Sequence, residues 1–596
     1  MPVGVSRAVR RVVAVLAGTV VVSQAVAVPT AGATDGAIRI APSSPRVAFG
    51  EQVTISGSLT ADGACVGGRS LLLEWRRIDA SSFDTVAQGS AASDGTFTFV
   101  ATEPYTGAYQ VTAPADGPCA SIVSRELIVR VRARVAATAV GSTVAGTCPE
   151  VSVTVEPPKP GHEVELERRS DHGWTLVASL VLDVGSRATA SICFAWADVG
   201  TVRLRARWPA QDPLNDPATG VVPLRVVPAG WMRSIQELAE GRSMSVSVGV
   251  DGTFLYGVAP DALRTPASNE KLLLSMALLD AFGADFRMRT IAASAADATD
   301  GVLEDDLWIL GRGDPELDRD AIRELARRIR AAGIRRVEGQ VLGSTTYFRR
   351  DWDAPGWQHD ARDYVARPTA LTFEGNLTAI GRDERSPETR AAEALAEALE
   401  ERGVEVSGRT GTGPAPPGLT EVASVRSRPL AALLAALLRP SDNFYAEVLG
   451  KRLGAETAGA PGTIAKAAAA LSAWVRDRGI DFTLNDASGL SYANRVTAEG
   501  IVRLLWTAED APWGEDLFRA LPTGGQGTLR ERLRMVDLRA KTGTLTGISA
   551  LSGWVWLERA ETWAAFSILS RGMLKPVASD LEDRIVRLIQ NRAMEG

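Results

Sequence analysis

Ser268-Asn269-Glu270-Lys271, Ser441-Asp442-Asn443 and Lys541-Thr542-Gly543 occur in that order along the chain. A serine with a lysine three residues on has the composition of an activated nucleophile for acyl transfer. Positions i and i+3 share a helix face, and Pro266 just before them suits a helix start. Free backbone N–H groups and the helix dipole at that end favour developing negative charge. Leu272-Leu273-Leu274-Ser275-Met276-Ala277-Leu278-Leu279 follows, so the helix is expected to be buried nearly all round. Burial disfavours the ammonium form of Lys271, and a second cation nearby, Lys541, would do the same. A neutral amine can then take the Ser268 proton, whereas arginine would stay charged and could not. Six lysines occur in all, and Lys271 alone has serine three residues before it. Of seven asparagines, Asn443 alone has serine two residues before it.

Each motif has a plainer reading. Lys271 could lie along the surface with its amine in water. Ser441, after Pro440, reads first as an ordinary helix N-cap. Lys541-Thr542-Gly543-Thr544 is expected at the start of a strand, where any Lys-Thr-Gly could be a surface strand end. As part of a site, its edge could pair with an extended peptide, Gly543 would remove a side chain blocking the approach, and Lys541 and Thr542 could hold a carboxylate. The chain holds three histidines, and only His359 lies in the region of the motifs. A histidine-rich metal site is therefore not expected, nor a Ser-His-Asp triad. No metal and no cofactor is expected.

The elements that must position these residues begin near Trp231. Met244 to Val250 alternates, Asp251-Gly252 is a hairpin turn, and Phe254-Leu255-Tyr256 resumes. A helix is predicted over 268–282, closed by Gly283. Near the other end, 548–557 and 562–569 read as strands and 577–594 as a helix. One antiparallel sheet assembled from both ends of 231–596, with helices packed on it, explains the pattern. Residues of about 287–425 mix strand and helix patterns and are expected to form an inserted domain.

The first 33 residues read as a secretory signal, with Arg7, Arg10 and Arg11 before an apolar run and cleavage after Ala27 or Ala33. An exported protein with no transmembrane segment after signal cleavage is expected. Net charge of −6 argues against a nucleic-acid partner. Residues 35–228 read as all-β with an internal repeat. Leu72-Leu73-Glu74-Trp75-Arg76-Arg77 in the first copy matches Val164-Glu165-Leu166-Glu167-Arg168-Arg169 in the second. The simplest reading is two tandem immunoglobulin-like β-sandwiches, 35–133 and 134–228, each with its own disulfide, Cys65–Cys119 and Cys148–Cys193. A plain spacer role is favoured over wall or partner binding. Val226-Val227-Pro228-Ala229-Gly230 reads as a linker that few contacts would cross.

Further stretches make the chain from about 231 to 596 resemble one family. These are Pro266-Ala267-Ser268-Asn269-Glu270-Lys271, Gly311-Arg312-Gly313-Asp314-Pro315, Pro355-Gly356-Trp357, Ser441-Asp442-Asn443-Phe444-Tyr445-Ala446-Glu447, Ser488-Gly489-Leu490-Ser491 and Lys541-Thr542-Gly543-Thr544. They are similar to the S13 D-Ala-D-Ala carboxypeptidases/endopeptidases, the low-molecular-mass class C penicillin-binding proteins. The resemblance implies an α/β serine transpeptidase/β-lactamase-like domain with a large insertion between the first two motifs. It implies Ser268 as acyl nucleophile, Lys271 as base, Ser441 as proton relay and Asn443 as ligand of substrate and Lys271. Lys541, Thr542 and Thr544 would bind the terminal carboxylate, and the N–H groups of Ser268 and Thr544 would form the oxyanion hole. The implied partners are peptidoglycan peptides ending in or cross-linked through D-Ala, with β-lactams as covalent inhibitors. The N-terminal sandwiches depart from the usual family layout.

Two alternatives have their own marks. A β-lactamase needs a fast deacylating base, for which Asp481-Phe482-Thr483-Leu484-Asn485 is the nearest sequence. Aspartate there would have a short reach, and the stretch reads as coincidence. A non-catalytic wall-binding or β-lactam-sensing protein is disfavoured by the intact motifs.

Overall fold

The structure, a computed structural model, describes residues 36–558 and 560–592. The expected leader, 1–33, lies outside these residues, as does Met594 at the expected end of the last helix. Among the described residues no helix is long and apolar enough to cross a membrane.

The sheet expected from both ends of 231–596 is present. Its elements, with the helices around it, are α1 (Gly230–Ala239), β1 (Ser243–Val250), β2 (Thr253–Val258), α2 (Glu270–Phe282), α3 (Asn443–Ala458), α4 (Ala498–Glu509), β3 (Leu538–Leu545), β4 (Ile548–Leu557), β5 (Thr562–Arg571) and α5 (Lys575–Arg592). The strand order is β2-β1-β5-β4-β3, antiparallel throughout. Such hairpins need only short turns, and the β1 to β5 pairing closes the sheet across the whole intervening chain. The strand β3, which carries Lys541-Thr542-Gly543, is an edge of the sheet. The motif sits in the middle of that strand rather than at its start, with Lys541 opposite Ser552 and Gly543 opposite Ala550.

Alternation in β1 marks two different covered faces. Met244, Val246 and Val248 join Phe566, Ile568, Leu581 and Ile585 in one core under α1 and α5. On the other face α2, α3 and α4 bury Leu272, Leu449 and Leu505 against Ala550, Trp554 and Leu569. Ser245 and Ser247, which the sequence pattern would put in water, are fully buried. Helix α2 is apolar all round because it runs through this second core.

Residues 289–426 build a mixed sheet with a core of their own. Its order is Thr410–Gly413, Val341–Ser344, Leu307–Leu310, Arg289–Ser294, Thr420–Arg426. Lys451 of α3 ties the irregular 345–386 stretch to the helical layer. It is fully buried and its Nζ donates to the carbonyl oxygens of Arg349, Asp351 and Pro368 at 3.0, 2.8 and 3.0 Å. The Asp351 carboxylate, 2.9 Å away, balances its charge.

The N-terminal chain forms two pairs of facing sheets. In the first, Ile55 and Phe97 of a three-stranded sheet share a core with Leu73, Tyr109 and Val129 of a larger one. In the second, Val151 and Val153 face Leu166, Leu204 and Leu224. The bridges are Cys65–Cys119 and Cys148–Cys193, one in each pair, as the repeat predicts. The expected slack linker is not found. Val226, in a strand that runs to Val227, is 1% exposed, Ala229 is 3% exposed, and Gly230 opens α1. Trp231 and Tyr256 meet edge to face at 5.4 Å, and Trp196 of the second sheet pair lies 6.2 Å from Tyr256. Aromatic side chains from three separate elements therefore fuse this sheet pair to the core beneath β1 and β5, and contacts cross the junction.

Candidate active site

Helix α2 does not begin at Ser268. A short 3-10 turn, Ala267–Asn269, precedes it, and Ala267 sits at φ 48°. That left-handed conformation is costly for a residue with a Cβ and is found where the surrounding structure overdetermines it. Two glycines press on this turn. A Cβ on Gly489 (φ 82°) would lie 2.0 Å from the Ala267 carbonyl oxygen. One on Gly543 would lie 2.7 Å from that of Pro266. Gly543 is thus required by the protein's own packing against the serine turn, a closer cause than the substrate approach expected from the sequence. Asn269 donates to Ser552 Oγ at 2.6 Å and pins the turn to β4.

Lys271 is fully buried, so the surface reading fails. Its Nζ donates to Ser268 Oγ at 3.0 Å, to Asn443 Oδ1 at 2.7 Å and to the Ser488 carbonyl oxygen at 2.5 Å. Burial pushes its pKa down to about 8, against the pull of Asp486, Asp442, Glu447 and Glu270. Burial also holds the Lys541 ammonium well below its usual range, with Lys271 and Lys575 adding repulsion. Two lysines facing one recess thus lean toward the neutral form, as expected, with burial the larger cause.

Ser441 is not the N-cap of α3. Asp442 takes that place, its carboxylate accepting from the Tyr445 N–H at 2.9 Å. Ser441 stands one residue outside at φ 65°, another left-handed non-glycine position. Its hydroxyl is left to accept from Lys541 Nζ at 2.7 Å. Lys541 Nζ also donates to the Thr542 carbonyl oxygen at 2.8 Å, and Thr542 Oγ1 to Thr528 Oγ1 at 2.7 Å. Asn443 Nδ2 donates to the Tyr364 carbonyl oxygen at 2.9 Å, so the 345–386 stretch borders the site.

These side chains surround one cavity of about 870 Å³. Ser268, Ser441, Asn443, Thr542 and Thr544 line it, while Lys271 and Lys541 reach it through the serine hydroxyls. The structure therefore gathers the three sequence motifs in one place. It adds residues that no motif signals. Lys575, from the first turn of α5, lines the same cavity and donates to the Gly543 carbonyl oxygen at 3.2 Å and to Ser549 Oγ at 2.5 Å. Tyr492 borders it too, its phenol oxygen accepting from the Thr546 N–H at 2.9 Å. Lys575 had one available sign, being one of only six lysines in an arginine-rich chain. Asp481, at the place of a deacylating carboxylate in the alternative reading, is exposed, and Phe482 and Leu484 beside it are core residues. His359 is exposed.

A serine hydroxyl hydrogen-bonded to a buried, weakly basic lysine, opening on a cavity with a second Ser–Lys pair, can carry out acyl transfer. Known proteins are similar to this chain. The "D-alanyl-D-alanine carboxypeptidase" of Actinomadura sp. (strain R39) is 30% identical over 439 residues, 58% of this chain and 81% of that one. "Carboxypeptidase DacB" of Mycolicibacterium smegmatis is 30% identical over 450 residues, 68% of this chain and 93% of its own. The crystal structure of penicillin binding protein 4 from Haemophilus influenzae superposes with a TM-score of 0.54 at 19% identity. It covers 60% of this chain and 99% of its own length, and shares the fold. The sequence profile described as "D-Ala-D-Ala carboxypeptidase 3 (S13) family" matches residues 241–386 and 371–592, and this chain belongs to that family.

Proposed function

We propose that this protein is a serine DD-carboxypeptidase and DD-endopeptidase acting on peptidoglycan stem peptides through an acyl-enzyme on Ser268. The observation that carries the reading is the hydrogen bond from buried Lys271 Nζ to Ser268 Oγ at the cavity. Ser268 Oγ attacks the carbonyl of the penultimate D-alanine while Lys271 takes its proton. The N–H groups of Ser268 and Thr544 receive the oxyanion. The Ser441 hydroxyl, held by Lys541, relays a proton to the departing amine, and water then releases the acyl group. Asn443 holds Lys271 and the substrate amide. Lys541, Thr542 and Thr544 take the terminal carboxylate, which supplies the counter-charge that buried Lys541 lacks. Carboxypeptidase and endopeptidase action differ only in whether the leaving amine belongs to free D-alanine or to a neighbouring stem. β-Lactams would acylate the same serine.

The division of the chain belongs to this proposal. Residues 1–33 are a signal peptide, 35–133 and 134–228 immunoglobulin-like sandwiches, and 231–596 the peptidase with 287–425 inserted. The mature protein is exported and acts at the cell wall. The test is incubation with cross-linked and uncross-linked D-Ala-D-Ala wall peptides, followed by mass spectrometry. Loss of one alanine mass, or of the cross-link, is expected. Intact substrates after exhaustive incubation with folded protein would overturn the proposal.

A further inference from the structure

Three carboxyl groups and one lysine share the interior beside Ser268. Glu270, Glu447 and Asp486 are, like Lys271, 0% exposed, and none of the three lines the cavity. Two of the carboxyls share a donor, Asn494 Nδ2. Asp486 Oδ2 accepts from Trp357 Nε1 at 2.8 Å and from the Ser491 N–H at 3.0 Å, and its Oδ1 accepts from Asn494 Nδ2 at 2.8 Å. Glu270 Oε2 also accepts from Asn494 Nδ2. Glu447 Oε1 accepts from the N–H of Ala487 at 3.1 Å and of Ser488 at 2.8 Å. The carbonyl of that same Ser488 receives Lys271 Nζ at 2.5 Å. A chain of two hydrogen-bonded links therefore runs from α3 through the 487–488 backbone to the amine. The other oxygens, Glu447 Oε2 and Glu270 Oε1, are buried without a partner. An orphan carboxyl oxygen in the interior is costly and calls for an explanation.

We infer that Glu447 is a positioning residue for the Lys271 base: it fixes the Ser488 carbonyl that receives the amine, and it places a negative charge beside Lys271. The inference rests on the proposed role of Lys271 as the base for Ser268. The site offers more negative than positive charge, so its members cannot all be ionised together. Burial, with Asp486 and Glu447 beside it, keeps Glu270 well above the carboxylate range. Burial and then Asp486 push Glu447 up to about 7, against the N–H donors on its Oε1. Glu447 is among the carboxyl groups that hold the Lys271 pKa up against burial. The groups facing the pair are Glu270 on α2, Asp442 at the N-cap of α3, Lys451 on α3, Asp486 on the 486–491 loop and Lys541 on β3. The Glu447 carboxylate raises the pKa of Lys271, so removing its charge lowers it. More neutral amine is then present at any given pH, and the acid limb of acylation moves to lower pH.

The experiment is the second-order rate of acylation by benzylpenicillin between pH 6 and 10, for the wild type, Glu447→Gln and Glu447→Asp. Glutamine keeps an acceptor for both N–H groups and removes the charge. Its limb is expected to fall, by about one pH unit at most. Aspartate keeps the charge and draws it back by one methylene, so its plateau falls with the limb in place. The inference is overturned if folded Glu447→Gln keeps the wild-type limb or shifts it upward. Should that variant not fold, an Asp variant with an unchanged plateau overturns it instead. A wild type that is never acylated would sink the proposed function itself, a different result from an acylated wild type whose limb ignores Glu447.

Discussion

At the scale of single residues, acylation depends on lysines that can lose a proton. Lys271→Arg keeps charge and bulk but cannot serve as a base. Acylation should fall almost as far as in Lys271→Ala, by about 10²–10⁴-fold, the usual contribution of a positioned base. Rapid-quench labelling with a fluorescent penicillin measures it, and substantial activity in the arginine variant would place the base elsewhere. Lys541→Arg should be milder, because a cation suffices to hold a carboxylate. The wild-type rate should rise with pH through about 8, since the ammonium form of Lys271 is inactive and loses its proton there. The residues of this chemistry were legible because Ser268 and Lys271 are near in sequence and lysine is rare. Ser441 was ambiguous, because Ser and Asp cap helices equally well and only the backbone shows that Asp442 holds the cap. Glu447 and Asp486 were unreadable as buried charges, since burial of a carboxyl depends on segments far away in the chain.

At the scale of elements, edge strand β3 and the serine turn must touch closely. Gly543→Ala puts a methyl 2.7 Å from the Pro266 carbonyl oxygen and 3.2 Å from Ala267 Cβ. Backbone cannot give way cheaply there, so the variant should lose roughly 1–3 kcal/mol, as overpacked positions do. Because the strain falls on the turn that carries Ser268, acylation should drop along with the melting temperature. A variant with unchanged melting and labelling would show that the contact is slack. The hairpins, α2 and the sheet built from both ends were readable from turn residues and periodicity. The full burial of β1 was not, because serines at 245 and 247 look solvent-facing until α4 packs on the strand. Lys575 was equally hidden, since its place at the cavity follows from where α5 starts against β3 and β4.

At the scale of the molecule, the two sheet pairs are fastened to each other and to the catalytic sheet. Lys159, 3% exposed, bonds to Asp212 at 2.7 Å and lies over Tyr105 and Trp208 at 5.4 and 5.2 Å. Thr106 N–H donates to the Leu214 carbonyl at 2.8 Å, joining the first pair to the second. A protein beginning at Arg134 should keep its small-peptide turnover. One beginning at Trp231 keeps every residue of the site but bares Trp231 and Tyr256, so it should melt at a lower temperature. Equal melting of the two catalytic parts in calorimetry would contradict the shared core. Reduction should cost roughly 2–5 kcal/mol per bridge in the sheet pairs without changing the acylation rate. The repeat and its cysteines were visible in the sequence. The fused junction was not, because Pro228 and Gly230 resemble a linker while the aromatic contacts come from Trp196, Trp231 and Tyr256.

The central claim is that Ser268 becomes acylated. Intact-mass measurement after benzylpenicillin, followed by peptide mapping, addresses it directly. One adduct is expected in the wild type, on the peptide containing Ser268, and none in folded Ser268→Ala. An adduct of the same mass on the alanine variant, or one mapped to Ser441, would contradict it.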